Sequence, residues 1–189
     1  MKTTNYILAL TVLISSFATF AQKKSVDTQK STISWVGKKI GGQHEGTIHI
    51  KEGILEVKGT KILAADFIID MNSIACTDIK KEKSNKKLVG HLKADDFFGV
   101  ATFPTATFQL ITATNFSNNK ASLTGNLTIK GKTEKITFDL IKKGDTYTAK
   151  IAVDRSKFDV RYGSTSFFDS LGNKAIDDVF TLDVVLALN

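Results

Sequence analysis

Cysteine and proline each occur once in this 189-residue chain, tryptophan once and histidine three times. With Cys76 alone, no intramolecular disulfide can form, so stability has to come from packing. Cys76 itself reads as a small buried apolar side chain, not a nucleophile. Proline- or serine-rich linkers, sustained heptads and repeats of roughly 20 to 50 residues are all missing, which leaves nothing to mark a second domain, a coiled coil or a solenoid. His44 and His49 differ by an odd number and face opposite sides of a regular strand, while His91 lies in a connecting stretch. The three or four convergent ligands of a zinc or iron centre are therefore not assembled. Neither a G-x-S-x-G elbow nor a phosphate-binding glycine loop occurs. The sequence carries no enzyme motif and calls for no metal or cofactor.

Long apolar sequence is confined to the start. Residues 1–21, MKTTNYILALTVLISSFATFA, have Lys2 as a charged beginning, a mostly apolar run from Tyr6 to Phe20, and small residues Thr19 and Ala21. This is the pattern of a secretory signal peptide cut after Ala21, and its apolar part is shorter than the roughly 20 residues that a spanning helix needs. We therefore expect a periplasmic or secreted protein whose mature chain, residues 22–189, is one domain with one core. The net charge of +7, or +6 once Lys2 is removed, permits weak attraction to an anionic membrane surface and says nothing about fold. A homodimer is expected only on the general frequency of two-fold assemblies.

What the chain does contain is alternation with a period of two. Ile33 and Trp35; Ile48 and Ile50; Phe67, Ile69 and Met71; Ala106, Phe108 and Leu110; Leu123, Leu127 and Ile129; Ile136, Phe138 and Leu140; Tyr147, Ala149, Ile151 and Val153; and Phe180, Leu182, Val184 and Leu186 each keep one parity, with polar residues between. Each run predicts a strand with one apolar and one wet face, as in antiparallel sheets. Gly131 and Lys132 are read as a hairpin turn, and residues 51–53 (KEG) and 142–145 (KKGD) as further turns. About eight strands with short turns predict an all-β barrel or sandwich.

One region, from Ser73 to Thr105, breaks this rhythm. Its lysine-rich piece, KKEKSNKK (residues 80–87), precedes LVGHLKADDFF, which predicts a short helix or two helical turns. Pro104 then holds Phe103 extended and leads into the next strand. The lysine run lacks the interleaved aromatics of a nucleic-acid surface and predicts a solvated face. Four of the thirteen phenylalanines fall between His91 and Phe108. Asp95 and Asp96 beside His91 are the one arrangement that suggests acid–base chemistry on an apolar substrate, although adjacent carboxylates at a helical turn more often cap or solvate it.

The stretch HLKADDFFGVATFPTATF also resembles the signature of the YceI-like family through His91, Leu92, Asp96, Phe97, Phe98, Phe103, Pro104 and Phe108. LTGNLTIKG, residues 123–131, resembles a second family motif, and VDTQKSTISW (26–35), Gly46, Gly53 and DRSKFDV (154–160) agree more loosely. Leu88, Val89 and Gly90 stand where many members carry an Arg-Asp pair. The resemblance implies an extended, lipocalin-like antiparallel β-barrel of about eight strands with a short helical crossover, exported, holding a polyisoprenoid, isoprenoid quinone or similar lipid without covalent chemistry.

Together with the inward parities, it makes Trp35, Phe67, Ile69, Met71, Leu88, His91, Phe97, Phe98, Phe103, Phe108, Leu127, Phe138, Ile151, Phe158, Tyr162, Phe167 and Phe168 the expected ligand-binding set, with His91 fixing the crossover by a hydrogen bond. The loop 161–178 is expected at the cavity mouth. Two other readings stand beside this one: an enzyme using His91 with Asp95 or Asp96, and a stress or interaction protein acting through Lys80, Lys81, Lys83, Lys86 and Lys87.

Overall fold

A computed structural model describes residues 22–189; the expected signal peptide lies outside the described residues. Every alternating run becomes a strand, and a short strand with no such run precedes them: β1 Gln22–Ser25, then β2 Thr32–Lys39, β3 Gly42–Lys58, β4 Lys61–Cys76, β5 Thr105–Ala113, β6 Lys120–Ile129, β7 Lys132–Lys143, β8 Thr146–Asp154 and β9 Val179–Ala187. From β2 to β9 each strand pairs antiparallel with the next in sequence, and β9 returns to β2 with Ile33 opposite Val184 and Trp35 opposite Leu182. The result is a closed eight-stranded up-and-down barrel. The short β1 pairs with the far half of β3, Ser25 opposite Ile54, while β2 pairs with its near half, so the two share one edge of a long strand. Closure leaves no free sheet edge at this seam, which answers the hazard that open edges present.

Two turns differ from expectation. Residues 51–53 lie inside β3, beside a shift of register with β4 between Ile50 and Glu52, and the chain reverses instead at Gly59 and Thr60. Gly53 serves packing there: an added Cβ would stand 2.6 Å from the Phe67 ring. The β6–β7 hairpin turns on Lys130 and Gly131, not Gly131 and Lys132, with both residues at positive φ (49° and 71°), as a tight two-residue turn that matches strand twist requires. Lys130 is held in this conformation by Nζ, which donates to the carbonyls of Asp95 and Asp159.

The crossover begins four residues later than expected, at Thr77, since β4 continues to Cys76, and its helix α1 spans Glu82–Lys93. The lysine run is thus largely helical, because Lys and Glu are good helix formers and Glu82 pairs with Lys86 one turn on at 2.6 Å. Leu88 and Val89 pack partly buried against the core and Leu92 is buried, while Lys81, Lys83, Lys86 and Lys87 stay in water. Ala94 is extended and stops the helix. No helix among the described residues is long and apolar enough to cross a membrane.

Candidate functional site: an apolar lumen

Inward parities of the eight strands meet around two connected chambers. The lower, of about 130 Å³, is lined by Ile33, Trp35, Gly37, Ile48, Ile69, Met71, Ile74, Leu92, Phe97, Phe98, Ala106, Leu127, Ile129, Arg155, Ile176, Asp177, Phe180 and Leu182. The upper, of about 90 Å³, is lined by aliphatic and aromatic side chains alone, among them Phe67, Phe108, Leu123, Ile136, Phe138, Ile151 and Val184. Ile33, Ile69, Leu127 and Leu182 border both, so the chambers adjoin inside the barrel and together form one apolar lumen. Phe67, Ile69, Ile136, Phe138, Ile151, Phe180, Leu182 and Val184 face this lumen and remain only half-buried. A core filled at crystal-like density would bury them; the waist of this barrel is open space.

Aromatic rings in the wall sit over glycines. Gly125 has no side chain because an added Cβ would stand 2.4 Å from the Phe108 ring, and at Gly46 it would meet Trp35 at 2.6 Å and the Ala75 carbonyl at 1.8 Å. Phe108 in turn packs on Phe67 and Phe138, with centroids 6.2 and 5.3 Å apart. The Trp35 indole N–H donates to the Thr47 carbonyl at 3.3 Å, so its polar atom is satisfied and its ring is left to the lumen.

The lower end is closed by the crossover. Phe97 and Phe98 meet edge to face at 5.0 Å, and Phe98 contacts Phe180. Beneath Phe97 lies Arg155, 2 % exposed, in a 3₁₀ turn Arg155–Phe158. It donates to the carbonyls of Asp177, Val160, Tyr162 and Ile176, and Nη2 also lies 3.3 Å from Asp178 Oδ1. A buried guanidinium is tolerated only when so fully partnered. It pins the loop 161–178 under the barrel.

Of the expected ligand-binding residues, Trp35, Phe67, Ile69, Met71, Phe97, Phe98, Phe108, Leu127, Phe138 and Ile151 line the lumen. Leu88, His91, Phe103, Phe158, Tyr162, Phe167 and Phe168 do not. Leu88 anchors α1, Phe103 packs against Gly131, and Phe158, 1 % exposed, is core beneath the plug. Tyr162 and Phe168 line a separate outer cleft of about 710 Å³ with Asp95, Asp96, Lys130, Asp159, Arg161, Gly163, Leu171 and Lys174, and Phe167 stacks under Arg161. His91 fixes the crossover otherwise than expected: its ring meets Tyr162 edge-on at 4.2 Å, and Nε2 is 3.4 Å from Asp96 Oδ2. His91, Asp95 and Asp96 thus lie outside the plug and do not converge on the lumen. No group of three or more metal-ligating side chains occurs among the described residues.

The expected ligand-binding set left out Arg155, Ile176 and the side chains of β9, although the alternation of Phe180 to Leu186 marks that inward face. Arg155 stands in the loosely matching DRSKFDV, but its role depends on the loop 161–178 folding back against it.

Compared with known proteins, the YceI-like domain profile matches residues 25–188. This chain belongs to the YceI-like family. Among solved YceI-like relatives and neighbours, BcnA of Burkholderia cenocepacia is 26% identical with a TM-score of 0.66, over 85% of this chain and 98% of that one. A polyisoprenoid-binding domain from Saccharophagus degradans, implicated in plant cell wall breakdown, has a TM-score of 0.59 at 15% identity, over 88% and 97% of the two chains, a likeness of fold alone. A UPF0312 protein of Pseudomonas aeruginosa is 35% identical over 79 residues, which is 41% of this chain and 37% of that relative's length.

Proposed function

We propose that this YceI-like protein is an exported carrier or store that holds a single long apolar chain, a polyisoprenoid or similar lipid, along the barrel axis without transforming it. The observation that carries this reading is the pair of adjoining chambers whose walls offer almost no hydrogen-bonding group. Such a lumen recognises its occupant by length and cross-section. Its narrowness favours one flexible chain over a fused-ring or two-chain lipid. Burying a methylene contributes about 0.8 kcal/mol, so each carbon of the chain that the lumen admits strengthens binding, against several kcal/mol lost in ordering and association. The polyisoprenoid-binding domain of Saccharophagus degradans shares this architecture, and the pattern of residues 1–21 supports export.

The test is organic extraction of natively purified protein followed by mass spectrometry, with denatured and refolded protein as control. One long-chain species at near-equal molar amount is expected. Repeated recovery of folded protein with nothing extractable, together with failure of the refolded barrel to take up any long-chain probe, overturns the reading.

A further inference from the structure

Both ends of the lumen are shut. Below stand Phe97, Phe98 and the Arg155-pinned loop. Above, Leu55, Leu140, Tyr147 and Leu186 are buried, Phe116 packs on Tyr147 at 6.1 Å, and the turns are tied together by the Phe116 N–H on the Thr60 carbonyl and the Lys142 N–H on the Asn119 carbonyl. A guest therefore needs another way in, and the sparsest strand pairing in the barrel wall lies between β7 and β8. Strands β7 and β8 pair only at Ile141–Thr148, Lys142–Tyr147 and Lys143–Thr146, beside their turn. By contrast, β6 and β7 pair at every position from Lys120–Ile141 to Ile129–Lys132, and β8 and β9 from Thr146–Ala187 to Asp154–Val179.

Continuing the β7–β8 register would set Asp139 opposite Lys150 on the outer face, an attractive cross-strand pair. That pair is not made: Asp139 turns to Lys120 at 2.7 Å and Lys150 to Asp183 at 3.7 Å, each away from the seam. Backbone groups left unpaired there must be hydrated, and the side chains just inside, Ile136, Phe138 and Ile151, are half-buried linings of the upper chamber.

We propose that this seam is a lateral slot through which a single-chain amphiphile threads its apolar tail into the lumen, leaving its polar end in water at the rim. This rests on the lumen-binding reading above. The slot sets a substrate class: one tail passes between two strands, whereas a lipid with two tails on one head does not. Charged outer residues Lys135, Asp139 and Lys150 guard the open strand edges against pairing with another sheet.

The test stitches the slot. In a Cys76→Ala background, Asp139→Cys and Lys150→Cys place thiols on the next outer-face pair beyond Ile141 and Thr148. Protein emptied by unfolding and refolding is mixed with cis-parinaric acid, and uptake is followed by energy transfer from Trp35, the one tryptophan in the chain. With the disulfide confirmed by mass, uptake at least tenfold slower than in the same protein reduced is expected, and oxidation after loading should trap the probe. Equal rates in the two states overturn the slot while leaving lumen binding intact. No uptake by the reduced protein and the unsubstituted one alike overturns the slot, and with nothing extractable from native protein it overturns the lumen reading as well. Should the disulfide not close, Ala152→Cys carrying a bulky maleimide replaces it, with Lys51→Cys on the opposite wall as control. Slowing at residue 152 alone supports the slot, and slowing at both or neither refutes it.

Discussion

At the scale of single residues, the barrel depends on a few side chains whose environment is completed by a loop folding back on them. Arg155 is the clearest case. Its guanidinium satisfies four carbonyls and faces Asp178 in a site from which water is excluded. Arg155→Leu removes the charge, leaves those four carbonyls without their donor and leaves the Asp178 carboxylate with only a neutral donor, Ser166 Oγ at 2.6 Å, so unfolding in denaturant should show a loss of about 3–5 kcal/mol. Arg155→Lys should restore little, because an ammonium cannot span the same fan of acceptors. A loss below about 1 kcal/mol would mean that the loop is held by its other contacts. Gly125 and Gly46 illustrate the opposite dependence, where the missing side chain is the requirement.

At the scale of elements, α1 is a cap tied to the barrel at its entry as well as along its face. Asp78, just after β4, accepts from the backbone N–H of Glu45 on β3 and from the Cys76 thiol, and pairs with His44 Nδ1 at 2.8 Å. Asn85 on α1 donates to the carbonyls of Cys76 and Ile79. Burial alone would push the Asp78 carboxyl up, but the hydrogen bonds from His44, Cys76 and Glu45 outweigh it and hold the group well below the usual carboxylate range. A carboxyl with a depressed folded-state pKa adds stability at pH above its unfolded value, near 3.9, and that contribution is lost as pH falls toward the folded value. Asp78→Asn should therefore lower stability at neutral pH and flatten its decline below about pH 4, as read by denaturation across pH. An unchanged slope in acid would show that the clamp carries no linked proton.

At the scale of the whole molecule, the barrel trades core packing for an open waist. Its two ends are dense and its middle is not, so the empty protein lacks part of the apolar contact that a filled one has. Anything that binds only the folded state stabilises it. Emptied and refolded protein should melt several degrees below protein purified with its guest, and adding a long-chain fatty acid should restore the difference. Identical melting of the two forms, with extraction showing that the native one was loaded, would mean that the guest makes no net contact beyond water.

The sequence by itself determined the eight strands, their inward faces and the family, because alternation is a local property and apolar parity marks which side leaves water. Eight of the expected lining residues follow from that alone, Phe138 and Ile151 among them. It also drew attention to the phenylalanines after His91, but not to their division of labour, since Phe97 and Phe98 plug the lumen while Phe103 packs outside. Only the tertiary structure decided that division, the burial of Arg155 and the incomplete β7–β8 seam. Those depend on how loops return across the barrel end and on how far two neighbouring strands stay in register, neither of which apolar parity along a strand encodes.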